Sequence, residues 1–271
     1  PNRTPTATFR LPTTPHVATT DLRLTAQFVT MRPAIQLYTL RELDDSLPDL
    51  LRRVGETRFE GVEFAGLGDA DPEEVRDALD DAGLDAAGAH VGIEELEADP
   101  EAVVETYRKL GCDRLVVPYL DEAEFASEAA VTDTARRLQT LAGRVDEAGA
   151  SLGYHNHDHE FTDVGDDRAA FDLLADETDF DLELDVGWAT AAGRDPAELL
   201  RHLRGRVPLV HVKDVADTTP VELGEGDLDV EACVAAASDA GTEWLVYEHD
   251  QPTDPEESLE HGAKRVSELV E

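Results

Sequence analysis

Short apolar runs alternate along this chain with stretches in which apolar residues recur at helical spacing. The helical spacing is clear at Leu47, Leu50, Leu51 and Val54, which would lie on one face of a helix. The short runs predict eight β-strands, at Ala34–Tyr38, Gly61–Phe64, Ala86–Val91, Arg114–Tyr119, Ser151–His155, Asp181–Asp185, Leu209–Val212 and Leu245–Glu248. Strands that alternate with helices indicate parallel βαβ units, arranged as a closed (β/α)8 barrel or as an open doubly wound sheet.

Two recurring signals mark the helix boundaries. An aspartate followed by proline precedes several helical stretches, because Asp accepts a hydrogen bond from a free amide and Pro fits the first turn. The pairs are Asp71-Pro72, Asp99-Pro100, Asp195-Pro196 and Asp254-Pro255. Glycines, which suit the left-handed conformation that often ends a helix, follow the matching stretches at Gly83, Gly111, Gly149 and Gly241.

The closed barrel is favoured over the dinucleotide-binding form of the open sheet. That form carries a Gly-rich phosphate loop after its first strand, but Tyr38-Thr39-Leu40-Arg41 stands there instead. We therefore predict an α/β protein in which residues 31–271 form a single (β/α)8 TIM barrel, a length that suits this fold.

The first thirty residues differ from the rest of the chain. They contain nine threonines and three arginines but one acidic residue, Asp21. Met31 is the only methionine, so we expect it to be the native start and residues 1–30 to be an unstructured extension. A transit-like leader is the alternative, because such leaders are rich in Arg and poor in acidic residues.

The charge of the chain is strongly negative. Its 271 residues include 61 acidic and 23 basic ones, for a formal charge of -38, although 41% of the residues are hydrophobic. So much like charge destabilises a compact state in dilute buffer, whereas molar salt shortens the Debye length to roughly 3 Å. We therefore expect a halophilic, cytoplasmic protein. Nucleic acid is not expected as a partner because phosphate binding needs basic patches. A membrane is not expected either, because no apolar stretch reaches the roughly 20 residues that cross a bilayer.

Polar residues stand at the carboxyl ends of the last four predicted strands. They are His155, Asp185, His211 and Glu248. In a parallel barrel these ends meet on one rim, where the loops build the active site. Two imidazoles and two carboxylates suit Mn2+, Co2+ or Zn2+ better than Ca2+ or Mg2+. Taken singly, a histidine at a strand end is more often a structural histidine, and an aspartate there is often a helix cap.

Several motifs of the chain resemble those of one enzyme group. They lie at 152–161 (Leu-Gly-Tyr-His-Asn-His-Asp-His-Glu-Phe), 185–188 (Asp-Val-Gly-Trp), 211–214 (His-Val-Lys-Asp), 223–226 (Leu-Gly-Glu-Gly) and 248–250 (Glu-His-Asp). From Ile35 to about Val270 the chain resembles the sugar phosphate isomerase/epimerase group of the xylose isomerase-like TIM barrels. The resemblance implies a small-molecule sugar substrate and one divalent metal ion, with Mn2+ as the first choice and Co2+, Zn2+ or Mg2+ as alternatives.

The resemblance also implies a ligand set of Glu, Asp, His and Glu on strands five to eight. Asp185, His211 and Glu248 match this set, whereas His155 stands where many relatives have the first Glu. In ketose epimerases of the group the two metal-bound glutamates also serve as bases on opposite faces of the sugar. The replacement at His155 therefore argues against a simple mechanism with two glutamates.

The expected function is a metal-dependent isomerase or epimerase of a sugar or keto-sugar, with or without a phosphate group. A base removes a proton next to a carbonyl, and a metal ion stabilises the resulting enediolate. Return of the proton to another carbon isomerises the sugar, and return to the other face epimerises it. We expect Glu248 to be one base and His155 or His157 to be the second acid/base.

Other side chains are candidates for contacts with the substrate. Lys213 lies two residues beyond His211 and should face the same way, although pairing with Asp214 is an alternative. The remaining candidates for substrate binding are Tyr38, Glu63, His90, Tyr119, Glu160 and Trp188. Rim packing and helix capping are the alternatives for the strand-end members of this set, and Glu160 could instead bond to the metal-site histidines.

Two other functional classes stay open, and one is disfavoured. A metal-dependent dehydratase or lyase of a keto-inositol or keto-sugar would use the same proton abstraction and then expel a hydroxyl. A sugar-binding barrel without catalysis would not need four metal ligands. DNA cleavage of the endonuclease IV type needs further histidines, but Trp188 and Tyr119 stand near two of the required positions. A homo-oligomer is left open.

Overall fold

A closed barrel of parallel strands forms the centre of the molecule. The computed structural model describes residues 31–165 and 168–271, so the predicted extension at 1–30 lies outside the described residues. The strands are β1 Arg32–Gln36, β2 Gly61–Phe64, β3 Asp85–His90, β4 Arg114–Val117, β5 Ser151–His155, β6 Asp181–Asp185, β7 Leu209–Val212, β8 Asp214–Ala216, β9 Thr219–Val221 and β10 Trp244–Tyr247. The barrel closes in the order β1-β10-β7-β6-β5-β4-β3-β2, and β8 and β9 form a separate antiparallel pair. The predicted (β/α)8 barrel is confirmed.

Helices connect the barrel strands and cover the outside of the barrel. They are α1 Leu47–Gly55, α2 Pro72–Ala82, α3 Ile93–Ala98, α4 Pro100–Lys109, α5 Glu128–Ala148, α6 Ala170–Glu177, α7 Val186–Ala191, α8 Pro196–His202, α9 Val230–Ala240 and α10 Pro255–Val270. Short 3-10 turns lie at Leu37–Leu40, Glu122–Phe125 and His159–Phe161. Within the two described ranges, the helices are too short or too polar to span a membrane.

The Asp-Pro pairs start helices as the sequence predicts. The carboxylates of Asp71, Asp99, Asp195 and Asp254 each accept a hydrogen bond from an amide in the first turn of α2, α4, α8 and α10. A proline occupies the first turn in each case, where its missing N–H loses no helical bond. At the other end, α2, α5 and α9 stop at glycines in the left-handed conformation.

The strand predictions were right for four strands and wrong by one or two residues at the ends of four others. β1 stops at Gln36 because the Gln36 side chain accepts the amide of Tyr38 and starts a 3-10 turn. β4 stops at Val117, since Pro118 has no N–H to donate to a strand. β3 is shifted by one residue to Asp85–His90, and β10 ends before Glu248. Tyr38 and Tyr119 therefore lie beyond the strands rather than at their last positions.

The barrel interior changes from apolar to polar along the strands. Its lower layer is a cluster of buried apolar residues, namely Ala34, Ala87, Val116, Leu209, Trp244 and Val246. Two residues further along three of these strands, the same face carries Gln36, His211 and Glu248, all buried. The larger apolar core packs between the strands and the outer helices. Alternation therefore collects buried polar side chains at the carboxyl end of the barrel, where active sites of this fold lie.

Close packing of α10 on the barrel predicts a sharp difference between two helical glycines. A Cβ at Gly262 would lie 2.4–2.7 Å from the ring of buried Tyr247, whereas a Cβ at exposed Gly143 in α5 would meet nothing within 4 Å. We expect Gly262→Ala to reduce the free energy of unfolding by about 1–3 kcal/mol through overpacking. Gly143→Ala should leave it unchanged or raise it by up to about 1 kcal/mol. Denaturant unfolding measures both, and equal stabilities of the two variants would contradict the packing shown here.

Candidate active site

The four predicted ligands meet at the carboxyl end of the barrel. His155 and Asp185 end β5 and β6, His211 lies in β7, and Glu248 directly follows β10. All four are buried, and their ligand atoms lie within 4.8 Å of one another. His155 Nε2 is 3.4 Å from Asp185 Oδ2, and His211 Nδ1 is 3.1 Å from Glu248 Oε2. We call these four residues the ligand set.

Contacts behind the ligand set aim its atoms inward. His155 Nδ1 lies 3.2 Å from the carbonyl oxygen of Pro118, and donation to this oxygen leaves the lone pair of Nε2 facing Asp185. Asp185 Oδ1 accepts the amide of Trp188 at 2.8 Å, which leaves Oδ2 facing His155 Nε2 and the Lys213 ammonium. Asn156 bonds to both the amide and the carbonyl of Asp185 and so ties the ends of β5 and β6 together. Within the described residues, His155 Nε2 is buried without a hydrogen-bond partner.

The ligand set is able to hold a divalent metal ion. Neighbouring ligands at about 2.1 Å from one ion lie roughly 3 to 4 Å apart. Three separations within the ligand set fall in this range, including 4.0 Å between His211 Nδ1 and Asp185 Oδ2. A cation would also give His155 Nε2 the partner that it lacks. Two imidazole nitrogens and carboxylate oxygens are donors suited to Mn2+, Co2+ or Zn2+.

Lys213 lies fully buried beside the ligand set. Its Nζ is 3.0 Å from Asp185 Oδ2, 2.8 Å from Glu248 Oε2 and 2.7 Å from Asp250 Oδ2. Burial alone would lower the pKa of Lys213, but these three carboxylates raise it above its ordinary value. Burial would likewise raise the pKa of Asp185, but the Lys213 ammonium and His155 bring it down to about 2. The lysine therefore stays charged and keeps Asp185 and Glu248 ionised.

The alternative pairing of Lys213 with Asp214 is not what the structure contains. Asp214 lies on the opposite face of the chain, and its carboxylate accepts backbone amides from Val215, Gly224, Gly226 and Leu228. A Cβ at Gly226 would lie 2.2 Å from Asp214 Oδ1, so only glycine allows this approach. Asp214 thus holds the loop after β7, while Lys213 serves the ligand set.

A second group of polar residues lies beneath His211. Glu63 Oε2 is 2.6 Å from His211 Nε2 and accepts a hydrogen bond from Gln36 at 2.8 Å. Glu183 Oε2 is 2.6 Å from His90 Nε2 and 3.2 Å from His211 Nε2. We call Gln36, Glu63, His90 and Glu183 the inner network. A nitrogen and an oxygen 2.6 Å apart are joined by a hydrogen bond, whereas two atoms that bind the same metal ion lie about 3 Å apart or more. The inner network is therefore hydrogen-bonded and orients His211 from behind.

The two carboxylates of the inner network have opposite pKa shifts. Burial raises the pKa of Glu63, and the nearby charge of Glu183 raises it further. Burial opposes ionisation of Glu183 as well, but His211 and His90 lower its pKa well below the ordinary value. Glu183 is thus the ionised member of the pair and Glu63 the one that holds a proton more readily. The sequence interpretation missed Glu183, although the alternation in Leu182-Glu183-Leu184-Asp185 puts it on the same face as Asp185.

A cavity of about 1080 Å³ opens in front of the ligand set. His155 and Glu248 reach its wall, together with His90, His157 and Asp250. The predicted substrate contacts Tyr38 and Tyr119 also line it, with 43% and 47% of their surface exposed, so they lie at its mouth.

Glu63, Glu160 and Trp188 lie behind the cavity wall rather than on it. Glu63 belongs to the inner network. The carboxylate of Glu160 accepts hydrogen bonds from the Tyr154 hydroxyl at 2.6 Å and from the His157 amide at 2.8 Å, so it fixes the segment that carries His157. The Trp188 ring stacks on His157 with centroids 5.8 Å apart. None of the three side chains is among those that line the cavity in the described part of the chain.

Among the described residues that line the cavity, His157 is the histidine that belongs neither to the ligand set nor to the inner network. Burial lowers its pKa to about 2, and the nearby positive charge of Lys213 acts in the same direction. Its Nδ1 is buried and has no hydrogen-bond partner among the described residues. His157 therefore offers a neutral imidazole that can exchange hydrogen bonds with a bound molecule.

A family model described as the xylose isomerase-like TIM barrel matches residues 49–269. The chain belongs to this family. Inosose dehydratase of Geobacillus kaustophilus (strain HTA426) is 26% identical over 190 residues, which cover 61% of this chain and 61% of that protein. The chain thus spans about three fifths of the length of that relative.

Two solved structures of similar fold are named as sugar isomerases or epimerases. A sugar phosphate isomerase/epimerase of Parabacteroides distasonis ATCC 8503 has a TM-score of 0.78 at 20% identity, covering 89% of this chain and 100% of that chain. L-ribulose 3-epimerase has a TM-score of 0.68 at 15% identity, covering 89% of this chain and 94% of that chain. At these identities the likeness shows the shared barrel, and the family membership rests on the family model.

The ion pairs of Lys213 predict a large effect of its removal on stability. Lys213→Met leaves Asp185 and Glu248 buried without their cation, which should cost about 3–5 kcal/mol in the free energy of unfolding. Lys109→Met is the matched control, because Lys109 is an exposed lysine that pairs only with exposed Glu105. It should change stability by less than about 1 kcal/mol. Denaturant unfolding in the presence of a chelator tests this, and equal losses in the two variants would refute it.

Proposed function

We propose that this protein is a metal-dependent isomerase or epimerase of a sugar or keto-sugar. The observation that supports it best is the ligand set, in which buried His155 Nε2 lacks a hydrogen-bond partner among the described residues and faces Asp185 Oδ2 at 3.4 Å. The set lies at the wall of a cavity large enough for a sugar. The ligand assignments of His155, Asp185, His211 and Glu248 are part of this proposal, with Mn2+ as the first choice of ion.

The proposed chemistry is removal of a proton next to a carbonyl group. A divalent ion held by the ligand set would polarise that carbonyl and stabilise the negative charge that develops on the substrate. Glu248 acts as one base. Burial opposes its ionisation, but Lys213 and His211 keep its pKa well below the ordinary value. Glu248 is therefore a carboxylate, which is the form that a base requires. Its carboxylate reaches the cavity wall.

His157 is the better candidate for the second acid/base. Its neutral imidazole lines the cavity, whereas the free nitrogen of His155 faces Asp185. Lys213 is fully buried and surrounded by three carboxylates, so it acts by holding Glu248 and Asp185 in place rather than by touching the sugar. Tyr38, His90 and Tyr119 are the proposed substrate contacts, because all three line the cavity.

A dehydratase or lyase is the second candidate. The relative that is 26% identical over 190 residues is an inosose dehydratase. Glu248 would remove the proton and return it to a departing hydroxyl, which would leave as water, while His157 would donate a hydrogen bond to that hydroxyl. A sugar-binding barrel without catalysis is the outcome that remains if neither proton exchange nor elimination occurs.

Metal binding and proton exchange test the proposal together. Asp185→Asn removes one ligand charge while keeping the shape of the side chain, so Mn2+ affinity should fall at least about 100-fold. His202→Gln, which alters an exposed histidine of α8, should leave it unchanged. Titration calorimetry with Mn2+ measures both.

Solvent-deuterium exchange against a panel of ketoses and keto-inositols then identifies the reaction. Incorporation of deuterium without loss of water supports the isomerase or epimerase, and loss of water supports the dehydratase. Both enzyme assignments fail if the wild-type protein binds no divalent ion and exchanges no proton.

We also propose that the protein works in the cytoplasm of a halophile and binds no nucleic acid, since its formal charge is -38. Its melting temperature should then rise as KCl increases from about 0.1 M to about 2 M, because salt screens repulsion between the acidic side chains. A neutral osmolyte at equal osmolality is the control, since it does not screen charge. A melting temperature that falls with KCl, or that rises equally with the osmolyte, would contradict the proposed adaptation.

A further inference from the structure

The cavity extends well beyond the ligand set. Its volume of about 1080 Å³ is at the upper end of the roughly 300–1,000 Å³ that small-molecule pockets occupy, and a single sugar ring fills only part of it. The polar end is formed by histidines and acids around the ligand set. The other end lies between the loop after β2, the α3 segment and α4.

Most side chains at this second end are apolar, although Glu95, Asp99 and Thr106 also line it. We call it the apolar arm and define it by Leu67, Ala70, Ala98, Ala102, Val103 and Tyr107. Small and apolar side chains such as these offer few hydrogen-bonding groups to hydroxyls, so a second sugar unit would lose water there without replacement bonds. An apolar group gains free energy in the same place because its surface leaves water.

The charges along the cavity exclude a phosphate ester. The charged residues of the described lining other than histidine are Glu95, Asp99, Glu248 and Asp250, all of them acids. Phosphate recognition needs arginine, lysine or a free helix N-terminus. The amides that start α2 and α4 are already capped by Asp71 and Asp99. The start of α3 at Gly92 has no side-chain cap, but Glu94 and Glu95 in its first turn place negative charge beside its amides.

Lys213 and Arg41, two cations near the ligand set, already have partners. Lys213 is enclosed by three carboxylates. Arg41 stacks on the Tyr38 ring and donates to the carbonyl oxygens of Tyr38 and Asp250. Neither side chain is among the lining residues of the described chain. Away from the ligand set, a phosphate would therefore meet acidic side chains, and the described lining offers it no lysine or arginine.

We infer that the substrate is an uncharged, non-phosphorylated keto-sugar that carries an apolar substituent, with the sugar ring at the ligand set and the substituent in the apolar arm. This inference rests on the proposed function for the position of the sugar ring. The substituent is an alkyl or aryl group of the size of a phenyl ring or larger, because the arm is lined by aliphatic side chains and by the buried ring of Tyr107.

Binding of substituted sugars to the Mn2+-loaded protein tests the inference without any turnover. The probes are methyl and phenyl glycosides of glucose, galactose and xylose, and the 6-phosphates of glucose and galactose, measured by titration calorimetry. The phenyl glycoside of at least one sugar should bind about 10- to 100-fold more tightly than its methyl counterpart, as expected for burial of a Phe-sized group. The 6-phosphates of glucose and galactose should bind no more tightly than the methyl glycosides of the same sugars.

A matched pair of alanine variants locates the effect. Ala98→Trp fills the apolar arm and should reduce the preference for the phenyl glycoside at least about tenfold. Ala129→Trp alters an exposed alanine of α5 outside the cavity and should keep the preference. Tighter binding of a phosphate, equal binding of phenyl and methyl glycosides, an Ala98→Trp variant with full preference, or no binding by any probe would overturn the inference.

Failure of the inference and failure of the proposed function give different results. If deuterium exchange occurs with simple or phosphorylated ketoses as fast as with phenyl-substituted ones, the function stands and the inference is wrong. If Mn2+ does not bind and no ketose exchanges a proton, the proposed function is wrong, whatever the glycosides do.

Discussion

The burial of four carboxylates in the ligand set and the inner network is the constraint on which the rest of the site depends. They are Glu63, Glu183, Asp185 and Glu248. A buried ion without a partner costs several kcal/mol, so each carboxylate needs a cation, a proton or hydrogen-bond donors. Lys213 pairs with Asp185, Glu248 and the partly exposed Asp250, and His211 contacts both the ligand set and the inner network. A divalent ion would add positive charge beside His155 Nε2, which lacks a partner among the described residues.

The barrel tolerates this cost because its two ends are built differently. Below the polar layer, the barrel interior is filled by the cluster of buried apolar residues that includes Leu209 and Trp244. Outside the strands, the main core holds the helices against the sheet. Stability comes from these apolar layers, so the carboxyl end can carry charges that oppose folding but suit chemistry. Positions at element ends and in loops after β5, β6, β7 and β10 then decide function.

The barrel, and the meeting of the four polar residues of the ligand set at one end of it, could be predicted from the sequence. The alternation of apolar runs and helical spacing gave the barrel, and Asp-Pro pairs gave helix starts, because both depend on local physics. The ligand set followed from strand ends such as His155 and Asp185, since parallel strands bring their ends together. Strand ends at Tyr38 and Tyr119 were misplaced, because a side-chain bond from Gln36 and the ring of Pro118 stop those strands early.

Other features depend on contacts between distant segments, which a sequence pattern does not contain. Glu183 pairs with His90, 93 residues away, and His211 pairs with Glu63, 148 residues away. Glu160 was predicted near the substrate, but Tyr154 and the amide of His157 engage its carboxylate. The apolar arm is assembled from three segments, so its size, and the lack of lysine and arginine in its described lining, became visible only with the structure.

The binding of one divalent ion by the ligand set is the claim on which the proposed chemistry depends. Anomalous diffraction from crystals grown with Mn2+ tests it most directly, because it locates the ion without reference to activity. We expect a single strong peak between His155 Nε2, Asp185 Oδ2, His211 Nδ1 and Glu248 Oε2. No peak at that position, or a peak within the inner network at Glu63 and Glu183, would contradict the proposed metal centre.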